Sequence, residues 1–328
     1  MQTDRDSERS RRLLFAPELA AGTVRPSQLA RAEVRAATVT RRVPARISRA
    51  YQRRLMRRGA LGYEHGTVAA QMAARRAVLG AAAAGPPRLL VRVEAFPGPQ
   101  ATEQLRRTHA ILAEAEMPYL VGVRPRVALR PLDPGDDRSR PLDDDELELL
   151  ADLRRDGVAF AANGLDHRTR VAAEDRRSEL AGLETKALAA HLDRMEGELA
   201  ALAVAPTVFA APFDRFDWRQ WETLSARYDV VCGGEPSVAA FGFHDTPLWR
   251  GQAVWMPAYA PFDGPADGVL DGARRLADGG AAVWVPVVLH AADEAQAGWE
   301  SLRRFAREAA RWAVRWDDFL DAVRASRT

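Results

Sequence analysis

The chain has 328 residues, 47% of them hydrophobic, so it can bury the core of one large domain or of two ordinary ones. Its single cysteine, Cys232, excludes an intrachain disulfide and a multi-cysteine zinc site, and the sequence has no run of about 18 apolar residues that would predict a membrane span. The formal net charge is only +2, but arginines crowd the residues before Leu89.

Residues 1–87 form an arginine-rich extension, which we call the arm. Prolines and weak periodicity predict partial disorder over residues 1–50, while residues 45–80 predict an amphipathic helix. The arm is interpreted either as a solvated helical extension packed on the rest of the protein or as a basic segment that contacts an anionic membrane surface. Nucleic acid is not predicted as a partner, because no aromatic residues interleave with the arginines to stack on bases.

The polar start of the chain, residues 1–12, predicts no secretory signal peptide. The single cysteine agrees with a reducing compartment. We therefore expect a cytoplasmic protein, with the arm as its route to any peripheral membrane association.

From residue 88 onward, apolar strand segments alternate with helical segments. The first, residues 89–96, has six apolar positions out of eight and is bracketed by glycine and proline. Repeated βα units predict parallel strands, either as a closed barrel or as an open doubly wound sheet. No glycine-rich phosphate motif follows a strand, which disfavours the nucleotide-binding folds. The other predicted strands are 119–123, 158–162, 207–211, 229–232 and 282–289, and the predicted helices are 102–115, 143–155, 178–203, 219–228, 266–277 and 294–311.

Polar residues end several of these strands, where a barrel places its functional groups. Arg92 and Glu94 share one face of the first strand, since strand side chains alternate. An arginine in an apolar strand needs a partner, so the two predict either a structural ion pair or an acid/base role. Asn163 and His167 follow the strand at 158–162, and His290 follows the last strand.

These strand ends resemble the motifs of the polysaccharide deacetylase (NodB-homology) superfamily. Glu94-Ala95-Phe96-Pro97 resembles its opening motif, in which two consecutive aspartates serve as general base and metal ligand. Asn163 and His167 stand where the family has two metal-binding histidines, and Leu289-His290 resembles its closing motif, whose histidine assists as general acid. Further segments resemble a divergent, poorly characterised branch, and they extend the resemblance over residues 88–325: 178–183, 211–217, 232–234, 242–251 and 285–290.

The resemblance implies a distorted (β/α)7-type barrel over residues 88–328, with residues 1–87 as a separate extension. It implies Glu94 and His290 as catalytic residues and His167 as the remaining metal ligand. Ala95 has no donor atom, and Asn163 is a weak replacement ligand because zinc prefers imidazole to an amide oxygen.

We therefore predict a barrel that recognises a carbohydrate or amino sugar, with metal-dependent N-deacetylation lost or altered and no cofactor required. One alternative is an active N-deacetylase that holds zinc or another divalent metal in a rebuilt site of Glu94, Asp166 and His167. The other is a non-catalytic scaffold that acts at a membrane surface through the arm. The predicted carbohydrate-binding residues are Arg92, Asp166, Asp214, Arg215 and Trp249.

Overall fold

The computed structural model describes residues 85–97, 101–237, 247–258, 261–280 and 282–327, together with Arg5, Asp6 and Arg9. The remaining residues of the arm, including the helix predicted over 45–80, lie outside the described residues.

The strands are β1 (Arg88–Phe96), β2 (Leu120–Val123), β3 (Arg126–Ala128), β4 (Ser139–Pro141), β5 (Ala159–Ala162), β6 (Val208–Ala210), β7 (Val230–Gly233), β8 (Leu248–Arg250), β9 (Ala253–Pro257) and β10 (Trp284–His290). The helices are α1 (Ala101–Glu114), α2 (Asp144–Arg155), α3 (Thr185–Ala201), α4 (Trp218–Ser225), α5 (Ala266–Gly279), α6 (Ala291–Gln296), α7 (Glu300–Ala309) and α8 (Trp316–Arg327).

The main sheet has the strand order of a barrel. Its strands follow one another as β10-β1-β2-β5-β6-β7-β9-β8, and all neighbours are parallel except β8, which runs antiparallel to β9. Parallel strands thus follow chain order, and the last of them lies beside the first. A doubly wound sheet would instead reverse its order at a switch point. The predicted (β/α)7-type barrel is confirmed.

The junction between β9 and β10 is irregular. The segment after β9 reaches β10 through a parallel bridge between Asp263 and Val288. This bridge brings a carboxylate to the end of β10, beside His290, which matters for the site described below.

The strand register separates an inner from an outer face. Leu90 and Ala161 belong to a hydrophobic cluster that includes residues of α8, whereas Leu89, Val91 and Val93 belong to the larger cluster that includes the surrounding helices. Because side chains alternate along a strand, Arg92 and Glu94 share the inner face with Leu90.

Four aromatic residues fill the inner space at the end where the parallel strands begin. We call this end the floor, and it consists of Trp249, Trp284, Trp316 and Phe319. The Phe319 ring packs edge-on against Trp284 with a centroid distance of 5.0 Å and against Trp316 at 6.1 Å. The indole N–H of Trp316 donates to the carbonyl of Val91 at 2.8 Å. Helix α8 therefore closes the barrel from below.

The start of the arm contacts the same end. The backbone N–H of Gly251 donates to the Asp6 carboxylate at 3.0 Å, and the Arg9 guanidinium donates to the Gly251 carbonyl at 3.1 Å. Arg9 also lies over the Trp249 ring, 5.4 Å from its centroid. These described residues of the arm pack on the turn between β8 and β9.

Several elements differ from the sequence-based expectations. Strands β3, β4, β8 and β9 and helix α8 were not predicted, although α8 carries apolar residues at helical spacing. The predicted helix over 178–203 begins only at Thr185, after an irregular segment. The predicted helix over 294–311 is broken, because Gly298 and Trp299 both adopt left-handed backbone angles, with φ of 76° and 70°. No helix in the described part of the chain is both long and apolar enough to cross a membrane.

Candidate functional site

Charged side chains converge at the other end of the barrel, where the parallel strands finish. We call this group the mouth cluster, and it consists of Arg92, Glu94, Asp214, Asp263 and His290. Glu94 lies directly opposite His290 in the ladder between β1 and β10. Paired residues of neighbouring strands share a face, so both side chains lie on the inner face.

Arg92 is the deepest member of the cluster, and its side chain is only 3% exposed. Its guanidinium lies 2.7 Å from a Glu94 carboxylate oxygen and 3.5 Å from an oxygen of Asp214. Burial opposes the charge of Arg92, but Glu94 and its other anionic neighbours outweigh burial, so the pKa of Arg92 is raised. One buried cation therefore contacts two carboxyl groups.

Asp214 reaches the cluster from the turn that follows β6. Phe213 and Asp214 both adopt left-handed backbone angles there, with φ of 57° and 50°. Gly234 leaves room for the carboxylate, because a Cβ atom at that position would lie 3.1 Å from Asp214 Cγ. Burial raises the pKa of Asp214 well above its usual range, and the nearby charge of Glu94 raises it further. The site therefore favours the protonated form of this side chain.

His290 and Asp263 form the second ion pair of the cluster. The His290 Nε2 atom lies 2.9 Å from Asp263 Oδ1. This hydrogen bond raises the pKa of His290 to about 9 against the opposing effect of burial, and Glu94 and Asp214 add to the rise. The imidazole is therefore a cation at neutral pH, and it lies beside Glu94.

The segment after β5 is organised by a buried carboxylate, Glu179. It accepts the backbone N–H groups of Leu165 and His167, each at 2.7 Å, and it contacts His191 Nε2 at 2.7 Å. Gly164 is required here, because its φ is 80° and a Cβ atom would lie 2.4 Å from a Glu179 oxygen. The sequence placed Glu179 in a helix, so this role was missed; a buried carboxylate beside backbone amides cannot be recognised without the loop geometry.

Asn163, Asp166 and His167 have local partners of their own. The Asn163 side-chain amide donates to the Ala210 carbonyl at 3.0 Å and is buried. Asp166 accepts the backbone N–H of Arg168 at 3.1 Å, and burial raises its pKa. The His167 ring packs 4.3 Å from Phe213, and burial lowers its pKa well below the usual range.

These residues do not form the donor set of a zinc site. A catalytic zinc ion needs three protein ligands and an open position. Asn163 uses its amide nitrogen to tie β5 to β6, and the only imidazole of the segment is His167, whose Nδ1 is buried without a hydrogen-bond partner. Among the described residues, no group of three or more His, Cys, Asp or Glu side chains is arranged to hold a metal ion.

The other two predicted carbohydrate-binding residues differ in their placement. Arg215 follows Asp214 in the same turn, and its carbonyl accepts the Ser178 hydroxyl at 3.3 Å. Trp249 belongs to the floor, has no exposed surface and donates its indole N–H to Ser326 Oγ at 2.9 Å. The interpretation of Trp249 as a cleft residue is therefore replaced by a core role, because β8 carries it into the space covered by α8.

Comparison with known proteins gives structural but no sequence matches. No protein-family model matches the chain, and no curated protein is significantly similar to it in sequence. A Mycobacterium smegmatis protein provisionally described as a polysaccharide deacetylase superposes with a TM-score of 0.53 and 15% identity, over 74% of this chain and 91% of that one.

Two further structures match with lower scores. A CE4 family pseudoenzyme from Bacillus anthracis has a TM-score of 0.44 and 11% identity, over 72% of this chain and 66% of that one. A 4-alpha-glucanotransferase from Thermococcus litoralis has a TM-score of 0.47 and 13% identity, over 73% and 40% of the two chains. Identities this low bear on fold alone, and the Mycobacterium structure confirms the predicted polysaccharide deacetylase fold.

Proposed function

Starting from this deacetylase fold, we propose that the mouth cluster binds a carbohydrate and that metal-dependent N-deacetylation has been lost or altered. One observation carries the proposal: the buried guanidinium of Arg92 contacts both Glu94 and Asp214. The positive charge beside these two carboxyl groups is supplied by the protein itself.

The chemistry of the mouth cluster suits a polyhydroxylated ligand. Carboxylates accept hydrogen bonds from sugar hydroxyl groups, and charge-assisted hydrogen bonds are stronger than neutral ones. The cluster lies where the parallel strands end, which is where barrels place their binding sites. The exposed fractions of Glu94 and Asp214 are 15% and 17%, so both reach the surface of the site while remaining mostly desolvated.

The segment after β5 supports the proposal that the ordinary deacetylase reaction has been lost or altered. In that reaction a bound metal polarises the amide carbonyl and activates water. Here the Asn163 side chain is held by Ala210, and a single neutral imidazole remains at His167. Glu94 and His290 stand where the resembling motifs have a base and an acid, but among the described residues no His, Cys, Asp or Glu group is arranged to replace the missing ligands.

The test is to measure metal content and amine release on the same preparation. We expect substoichiometric zinc by elemental analysis, no amine release from N-acetylated amino-sugar oligomers, and measurable calorimetric binding of neutral or amino-sugar oligomers. The double variant Ala95→Asp with Asn163→His restores the family's ligand types, so it should bind more zinc. Asp193→Asn, which changes an exposed carboxylate in an ion pair with Arg227, is the matched control.

Two outcomes would favour the alternatives. Stoichiometric zinc and turnover in the unmodified protein, both abolished by His167→Ala, would show an active deacetylase with a rebuilt site. Co-sedimentation of the full-length protein with anionic vesicles, without binding of any sugar oligomer, would favour the membrane-surface scaffold.

A further inference from the structure

Two carboxyl groups of the mouth cluster face the same buried cation. Glu94 comes from β1 and Asp214 from the turn after β6, and each places an oxygen near the same nitrogen of Arg92, at 2.7 Å and 3.5 Å. The two oxygens are therefore no more than about 6 Å apart. Paired carboxyl groups roughly 5–5.5 Å apart are typical of retaining glycosidases, whereas inverting enzymes separate them by roughly 6.5–9.5 Å.

We infer that the mouth cluster cleaves a glycosidic bond with retention of configuration, with Glu94 as the nucleophile and Asp214 as the general acid/base. This inference rests on the proposed carbohydrate binding and names the reaction of that same site. It uses only side chains that the barrel already brings together.

The surroundings of the two carboxyl groups differ in the way these roles require. Arg92 makes its shorter contact with Glu94, and the His290 cation lies opposite Glu94 on the neighbouring strand. Asp214 has the longer contact with Arg92, and burial raises its pKa. A carboxyl group with a raised pKa beside a second one that contacts a cation is the arrangement that an acid/base and nucleophile pair needs.

The first step forms one bond and breaks another. A Glu94 carboxylate oxygen attacks the anomeric carbon, and the bond from that carbon to the glycosidic oxygen breaks. The electron pair of that bond passes to the oxygen, which takes the proton of Asp214 and leaves as an alcohol. The sugar remains as an ester of Glu94, and Asp214 is left as a carboxylate.

Water completes the reaction in a second step. The Asp214 carboxylate removes a proton from water, whose oxygen attacks the anomeric carbon and releases Glu94 as a carboxylate. Asp214 regains its proton, so both side chains return to their starting forms. The two displacements together retain the anomeric configuration. In this scheme His290, held by Asp263, is a positioning residue that keeps a positive charge beside Glu94.

The experiment uses the full-length protein and a defined panel of probes. The panel contains aryl glycosides and oligosaccharides of glucose, galactose, xylose and N-acetylglucosamine, in both anomeric series. Binding is measured by calorimetry, cleavage by aryl alcohol and reducing-end release, and product configuration by proton NMR immediately after cleavage. We expect at least one member to be bound and cleaved with retention.

Variants assign the two roles separately. Glu94→Gln should lower the turnover of every probe at least about 1,000-fold. Asp214→Asn should lower kcat/KM for oligosaccharides by a similar factor but largely spare kcat/KM for 2,4-dinitrophenyl glycosides, because their leaving group needs no proton in the first step. Their kcat should still fall, since hydrolysis of the Glu94 ester needs the Asp214 base. Asp193→Asn should leave both activities unchanged. A merely structural role for Asp214 would reduce both kinds of substrate equally.

Covalent trapping of the Glu94 sugar ester in the unmodified protein keeps the test valid if Glu94→Gln does not fold. An activated 2-deoxy-2-fluoro glycoside of the cleaved sugar should add one glycosyl mass to the unmodified protein, on the peptide that contains Glu94. Binding of panel members without any cleavage, an inverted product, or a label on another residue would overturn the inference and leave carbohydrate binding intact. Failure to bind any member would overturn both.

Discussion

The two ends of this barrel are built from opposite chemistry. At the floor, four aromatic side chains pack together, and the indole groups of Trp249 and Trp316 both have hydrogen-bond acceptors. At the mouth, three carboxyl groups share the space with one guanidinium and one imidazole. The charged groups that meet the floor are guanidinium groups over aromatic rings, such as Arg9 over Trp249. The mouth instead holds a carboxyl group whose ionisation is opposed by its surroundings.

The contrast indicates that the floor mainly stabilises the fold, whereas the mouth carries the functional groups. Burial of aromatic surface at the floor stabilises the fold. Burial of charge at the mouth costs free energy unless every charge is paired, and sites that hold such strain are typically functional. Replacing a buried aromatic ring at the floor should therefore lower stability, whereas replacing the mouth carboxyl group whose pKa is raised by burial should increase it.

The largest expected effect is at the floor. Trp316→Ala removes a fully buried ring that packs on Phe319, together with its hydrogen bond to Val91. Such substitutions cost about 3–5 kcal/mol, so the unfolding midpoint in denaturant should fall sharply. Leu129→Ala, at a position 53% exposed, should change it by less than about 0.5 kcal/mol. Equal effects of the two substitutions would contradict the stabilising role of the floor.

An intermediate effect, of opposite sign, is expected at the mouth. Asp214→Asn keeps the shape of a side chain whose pKa is raised by burial and by Glu94. Above the unfolded-state pKa near 4, the buried carboxyl increasingly destabilises the native protein, so the variant should gain stability as pH rises. We expect a gain of about 1 kcal/mol at pH 8 and a smaller one at pH 5, measured by denaturant unfolding. A loss of stability at pH 8 would show that the Arg92 contact dominates.

The smallest effect concerns the ion pair between His290 and Asp263. The raised pKa of His290, about 9, means that the pair stabilises the native state fully below pH 6.5 and that this contribution is lost as pH rises through 9. Asp263→Asn should therefore cost roughly 0.5 kcal/mol at pH 6, after allowance for the partly exposed imidazole, and almost nothing at pH 10.

The same variant gives a direct readout by NMR. The His290 pKa should fall towards 6.5, although Glu94 and Asp214 also face the ring and should hold it somewhat above that value. A pKa that stays near 9 in Asp263→Asn would assign the shift to these two carboxyl groups instead.

Much of the barrel was predictable because its signals are local. The apolar run at residues 89–96 and the alternation of strands with helices predicted parallel strands in chain order, and β1, β2, β5, β6, β7 and β10 were all anticipated within about two residues. Strand β9 was missed, because its five residues are buried throughout and show no alternation. Helix α8 was also missed, although its sequence predicts a helix: Trp316, Phe319 and Val323 lie at helical spacing.

The site was predictable only in part. Arg92 and Glu94 lie two residues apart on one strand, so strand periodicity alone placed them on one face. Asp263 was not predicted, because it reaches His290 from an irregular segment after β9. Trp249 was placed in a cleft because an aromatic residue between strands gives no sign of which end of the barrel it will face.

Sequence alone determined which residues end the strands, and hence that Glu94, Asn163 and His290 lie towards one end of the barrel. That information is contained in hydrophobic periodicity, which depends only on neighbours along the chain. Tertiary structure decided that Asp214 shares the Arg92 guanidinium with Glu94, that Asn163 links β5 to β6 by a hydrogen bond, and that Trp249 contacts α8. These contacts join segments far apart in sequence, and they depend on strand register and barrel closure, which no local pattern encodes.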